Sequence, residues 1–199
     1  MRIWTRFAVL SRSFGFDVIG IDLSEKAVAL AREAYKQRQA SGVPLFGSAS
    51  FHAGDICSVL KSRVGQKVGA FFSNRVLHLL AEVDFCDAAR NAISYLERDA
   101  YFCVSGRSPD DFNAALMEWI PGRENEVARY KDPARTGHDI AFVTKQRLLR
   151  TVGHDLEDMR YLSAAEPERV GAPDTHLLIL LGRTHSGPQT NPSSRYRTQ

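Results

Sequence analysis

A chain of 199 residues with 44% hydrophobic and 25% charged content is long enough for one α/β domain with a continuous core and too short for two ordinary ones. The net charge is only +3, with Lys and Arg interleaved among Asp and Glu, so there is no basic stripe of the kind that nucleic-acid binding needs. No apolar stretch reaches the length of a membrane span, and Arg2, Arg6 and Arg12 break up the N-terminal apolar residues where a secretory signal would need an uninterrupted run, so the expected compartment is the cytoplasm.

Arg2 to Ser13 reads as a short helix with Ile3, Phe7 and Leu10 on one face, closed by Gly15. Val18, Ile19 and Ile21 then form an apolar, β-branched run around Gly20, which predicts a short strand buried on both faces and stopping at the carboxylate of Asp22. A helix follows at once: Ser24 is a good N-cap, Glu25 sits in the first turn, and Ala27, Leu30, Ala31 and Ala34 recur at helical spacing. Two readings of Asp22 stand here. It is a solvated acid that adds a cap to the helix, or it accepts hydrogen bonds from ribose hydroxyls, because ligands of open α/β sheets bind at the carboxyl ends of the strands.

After the turn cluster Ala40 to Pro44, Ser50 to Ala53 reads as a strand ending at Gly54-Asp55-Ile56, where Asp55 suits a turn and a cap for Ile56 to Leu60. Val68 to Phe72 has the length of a buried strand and ends at the polar Ser73-Asn74-Arg75. His78 follows among Val76, Leu77, Leu79 and Leu80. A lone His in an apolar helix start has a structural reading, and a catalytic one as an imidazole that takes a proton near neutral pH. Glu82 to Leu96 is predicted as a helix with Phe85, Ala89, Ala92 and Leu96 on one stripe, and Ala100 to Ser105 as a strand of the sheet core.

Ser108-Pro109-Asp110-Asp111 is a strong helix start, predicting a helix that carries Phe112, Leu116 and Trp119. Pro121 to Asp139 is the longest irregular stretch. Thr144 caps a helix through Leu148, Leu149 and Val152 ended by Gly153, and Leu156 to Leu162 and His176 to Leu181 read as two strands. Residues 1–184 are expected to form the domain, and His185 to Gln199, which cannot bury a core, a disordered tail. Cys57, Cys86 and Cys103 lack CxxC spacing and read as reduced buried thiols; the six His show no paired-ligand spacing, so no metal site is expected.

Three stretches, DVIGIDLSEKAVALAREA (Asp17 to Ala34), HAGDI (His52 to Ile56) and FFSNRVLHLL (Phe71 to Leu80), resemble in this order the second-, third- and fourth-strand motifs of class I S-adenosylmethionine-dependent methyltransferases. The resemblance covers roughly residues 7 to 183 and is firmest to about Gly106. It implies a Rossmann-like α/β sheet, mainly parallel with an antiparallel C-terminal end, S-adenosylmethionine as cofactor, and methyl transfer to a small-molecule acceptor. The matching positions are Asp22 and Leu23 at the ribose, Asp55 facing the adenine amine, Ile56 against the ring, and Ser73 and Asn74 at the end of a central strand. His78 is the candidate catalytic residue; Tyr130 and His138 are candidate substrate contacts, since insertions after the fifth strand often shape the family's acceptor pocket.

The sequence departs from the family at Glu97-Arg98-Asp99, where members often have a Pro-Gly-Gly turn, and most of all at its start. The family's first strand and its glycine-rich loop, which approaches the methionine and ribose portions of the cofactor, are missing before the first helix; Gly15, the first glycine, lies after that helix. The departure predicts a sheet lacking its first strand and weak cofactor binding by the chain as written. Two other readings remain. One is a non-catalytic, truncated or degenerate methyltransferase-like domain that acts as a partner-binding module. The other is a nicotinamide-dependent oxidoreductase, in which an acid also ends the second strand, although the AGDI and SNRVLHLL stretches fit it less well.

Overall fold

The computed structural model describes residues 15–42, 47–63, 67–80, 82–132, 134, 139–166 and 175–186, so the predicted helix Arg2 to Ser13 and the tail from residue 187 lie outside the described residues. The chain forms two compact units, Met1–Gly65 and Gln66–Gln199.

In the first unit, strand β1 (Val18–Asp22) leads into helix α1 (Glu25–Ala40), strand β2 (Ala49–Ala53) and helix α2 (Ile56–Arg63). The two strands pair in parallel, with Gly20 opposite Phe51 and Asp22 opposite Ala53. Ser24 caps α1 as expected, its Oγ accepting the Ala27 N–H at 3.2 Å. Val28 and Ala31 of the helix bury against Phe51, with Tyr35 meeting the Phe51 ring edge-on at 6.1 Å. The expectation that β1 is buried on both faces does not hold. Ile19 is 37% exposed, because it points away from the face that Gly20 and Phe51 share, and among the described residues β1 has β2 as its only strand neighbour.

The second unit runs β3 (Val68–Asn74), a 3-10 turn (Leu77–Leu79), α3 (Glu82–Ser94), β4 (Leu96–Arg107), a second 3-10 turn (Phe112–Leu116), β5 (Met117–Trp119), β6 (Val127–Tyr130), β7 (Ile140–Ala141), α4 (Lys145–Val152), β8 (Leu156–Glu166) and β9 (Thr175–Thr184). The main sheet has the order β3-β4-β9-β8, in which β3 and β4 are parallel and the β4-β9 and β9-β8 pairs antiparallel. Parallel pairs early in the chain and antiparallel pairs at its end are the arrangement expected of the Rossmann-like fold class. Among the described residues the sole strand partner of β3 is β4.

Several elements differ from the sequence reading. The helix predicted after Ser108 is one 3-10 turn, after which Met117–Trp119 is a strand pairing with β6. Its start signal works only as a turn. Ser108 O accepts the Asp111 N–H at 3.0 Å, while the buried Asp111 carboxylate accepts the distant His176 N–H at 3.2 Å. Met117 and Trp119 then sit on one side of a small core with Ala128, Ile140 and Phe142, a period of two that the 3.6-residue template hid. The stretch Pro121 to Asp139 therefore contains β6, and β5-β6-β7 form a small antiparallel sheet. Helix α3 stops at Ser94, and Leu96 instead opens β4 opposite Val68. Phe72, expected in a buried strand, is 51% exposed; the register puts it on the same face as the exposed Tyr101 and Leu162.

Candidate functional site

In the first unit, the parallel register brings the carboxyl ends of β1 and β2 level, and the Gly54 N–H donates to the Asp22 main-chain oxygen at 2.9 Å. Gly54 has φ +142°, a backbone that a side chain rarely tolerates, and this turns the chain directly from β2 into Asp55. Asp22 and Asp55 therefore both stand at the carboxyl end of the two-stranded sheet. Each does local work with one oxygen. Asp22 Oδ1 accepts the Ser24 N–H at 2.8 Å, and Asp55 Oδ1 accepts the Ser58 N–H at 3.0 Å at the start of α2. The capping reading of both acids is thus realised, and among the described residues the second oxygen of each has no hydrogen-bond partner. Leu23, beside Asp22, is 66% exposed, and Ile56, beside Asp55, is half-buried.

In the second unit, β3 ends in Ser73 and Asn74. The Ser105 hydroxyl, directly opposite on β4, donates to Asn74 Oδ1 at 2.5 Å, and the Arg75 N–H donates to Ser105 O at 3.0 Å. Arg75 has φ +58°, a conformation that costs energy for a side-chain-bearing residue and that turns the chain sharply off the strand end. Ser73 is 7% exposed, and its hydroxyl has no hydrogen-bond partner among the described residues. Ser105 was not singled out by sequence reasoning. The signal was present, since it is a polar residue at the end of an apolar strand, as Ser73 and Asn74 are. The backbone of His78 lies in the 3-10 turn Leu77–Leu79, but its side chain is outside the described residues.

Tyr130 lies on β6, where its hydroxyl accepts from Arg107 Nη1 at 3.3 Å, and His138 lies outside the described residues. Arg107, at the carboxyl end of β4, is a second residue that the sequence reading passed over. Burial pushes the Cys103 thiol up from its ordinary value, which disfavours the nucleophilic thiolate there. Among the described residues, no group of three or more His, Cys, Asp or Glu side chains could hold a metal ion, and no helix is long and apolar enough to cross a membrane.

A family model described as a methyltransferase domain matches residues 5–157. No curated protein matches the sequence. Among solved structures, an S-adenosylmethionine-dependent methyltransferase from Methanosarcina mazei is 15% identical, with 94% of this chain and 88% of that one covered at a TM-score of 0.66. An S-adenosylmethionine-dependent methyltransferase from Clostridium acetobutylicum is 11% identical, covering 85% of this chain and 76% of that one at 0.59. The N-methyltransferase NodS from Bradyrhizobium japonicum, in complex with S-adenosyl-L-homocysteine, is 15% identical, covering 91% and 85% at 0.54. At these identities the likeness is one of fold.

Proposed function

The chain belongs to the methyltransferase-domain family and has the fold of class I S-adenosylmethionine-dependent methyltransferases, and from that premise we propose that it transfers a methyl group from S-adenosylmethionine to a small-molecule acceptor in the cytoplasm. The observation that carries the reading is the placement of Asp22 and Asp55 at the carboxyl ends of adjacent parallel strands, each with one oxygen left over from helix capping. Such a set fits the cofactor: a carboxylate accepts hydrogen bonds from ribose hydroxyls or an exocyclic amine, and the exposed Leu23 and half-buried Ile56 offer apolar surface to a base.

When bound, the cofactor supplies a methyl group on an electron-poor sulfonium. Asp22 accepts the ribose hydroxyls with Leu23 alongside, Asp55 accepts the adenine amine, and Ile56 lies against the ring. In the second unit, the Ser73 hydroxyl, without a hydrogen-bond partner among the described residues, and the oriented Asn74 amide suit a carboxylate or an ammonium. His78 takes the proton that the acceptor hydroxyl or amine releases, and Tyr130 meets the acceptor.

Calorimetry with S-adenosylhomocysteine tests this reading. Asp22→Ala removes a charge-assisted hydrogen bond and should weaken binding by roughly 1.5 to 3 kcal/mol, about tenfold or more. Ser24→Ala removes only the helix cap, so it should lower thermal stability and leave the affinity alone. Equal affinities in wild type and Asp22→Ala would return Asp22 to the role of a cap. The second reading, a non-catalytic domain that binds a partner, is favoured by the exposed Phe72, Tyr101 and Leu162 on one sheet face. It predicts that S-adenosylhomocysteine leaves the melting temperature unchanged.

A further inference from the structure

The outer edge of β2 is already closed by side chains of α1. The Val18 N–H donates to Ser48 O at 2.8 Å, so the even-numbered residues of this segment turn their main-chain groups towards β1 and those of Ala49 and Phe51 face outwards. Tyr35 Oη accepts the Ala49 N–H at 3.1 Å, and Arg32 Nε and Nη2 both donate to Phe51 O, at 3.1 and 2.6 Å. An edge capped in this way is a poor template for another strand. What remains above it is a groove of about 370 Å³ lined chiefly by Arg32, Tyr35, Lys36 and Gln39 from the helix and by Ser50 and His52 from the strand.

The groove's charge is one-sided. Arg32 and Lys36 stand four residues apart on one helix face, a spacing at which like charges repel. Neither makes an ion pair with a carboxylate among the described residues, and the acid nearest them on the helix, Glu33, accepts instead from Gln37 Nε2 at 3.0 Å. Among the described residues, no Asp or Glu lines the groove. The donors are also partly fixed. The Phe51 carbonyl orients the Arg32 guanidinium, the acceptor role of Tyr35 Oη leaves its own proton to donate, and Ser50 Oγ lies 3.3 Å from His52 Nε2. Two cations and the Tyr35 hydroxyl line one groove with no acid among its described lining residues, a set that suits a tetrahedral oxyanion.

We propose that this groove is a binding site for a phosphate-type oxyanion, set along the outer edge of β2 rather than at the strand ends that carry Asp22 and Asp55. Titration of the full chain with inorganic phosphate and with pyrophosphate, at constant ionic strength against chloride and followed by heteronuclear NMR, tests it. The two arms separate a single phosphate group from linked phosphoryl groups. Saturable shifts at the Arg32 side chain, Ser50 and His52 are expected with at least one of them. Lys36→Gln, which removes no contact that holds the fold, should weaken the apparent affinity about fivefold to tenfold. Lys61→Gln, on α2 and outside the groove, should leave it unchanged. Shifts that rise linearly without saturating, or an affinity that Lys36→Gln leaves intact or that falls equally with Lys61→Gln, would overturn the proposal.

Discussion

Asp17 shows what one exposed carboxylate does for the first unit. It accepts both the Ser48 hydroxyl at 2.6 Å and the Ser48 N–H at 2.9 Å, tying the entrance of β1 to that of β2 across 31 residues of sequence. These bonds, the hydroxyl's first and the amide's second, hold its carboxyl below the ordinary value. A lowered folded-state pKa means that the contribution to stability is complete above the unfolded-state value, near pH 4, and is lost as pH falls through the lower folded value. Wild type should therefore exceed Asp17→Asn in denaturation midpoint at pH 7, and the two should converge as pH falls through the lowered folded value. A gap that persists unchanged into acid would assign the effect to shape rather than charge. Asp22 and Asp55 carry the same lesson, since a carboxylate has two oxygens and a helix cap uses one of them.

The strand pair β1-β2 depends on a glycine that no motif marked. A Cβ on Gly47 would lie 2.2 Å from the main-chain oxygen of Phe16 and 2.7 Å from its carbonyl carbon, both atoms of backbone that cannot rotate away. Gly47→Ala should accordingly cost roughly 1 to 3 kcal/mol, as overpacking does, and speed hydrogen exchange at Val18 and Gly20 more than in α1. Unchanged exchange at those amides would show that the approach is looser than these distances imply. The helices bear out the same principle of local chemistry: Thr144 Oγ1 accepts the Arg147 N–H at 3.0 Å to start α4, and the Gly153 N–H closes it on Leu149 O at 3.0 Å.

On the scale of the second unit, one buried cation joins the layers. Arg147 is 1% exposed, lies 4.6 Å over the Phe85 ring of α3, and donates to the carbonyls of Glu126 and Phe142, each at 3.3 Å, on the segments that flank β6 and β7. Arg150, in the last turn of α4, is exposed and reaches both oxygens of the Glu126 carboxylate at 2.5 and 2.7 Å. Arg147→Ala should lower unfolding free energy by roughly 2 to 4 kcal/mol, from the Phe142 carbonyl that loses its donor and the lost packing on Phe85, while the Glu126 carbonyl keeps the Phe142 N–H. Arg150→Ala should cost under about 1 kcal/mol, because solvent screens its pair. Chemical denaturation of the two variants checks the order, and a larger loss in Arg150→Ala would contradict it.

By itself the sequence determined what rests on near neighbours: the caps of α1 and α4, the alternation of strands and helices, and the polar residues that end β1, β2 and β3. The caps and the acids that follow β1 and β2 rest on backbone groups within a turn of the side chain that satisfies them, so a short window of residues contains both partners; the alternation and the polar end of β3 are written in the apolar and polar runs themselves. Tertiary structure alone decided the rest. Met117–Trp119 is a strand because β6 and the buried cluster around Phe142 lie beside it, and Arg147 is buried because the distant Phe85 ring and Glu126 carbonyl meet it, with the nearer Phe142 carbonyl. Ile19 and Phe72 are exposed for the converse reason: an apolar side chain is buried only when another element covers its face, and the partner that would do so is not written in the residues next to it.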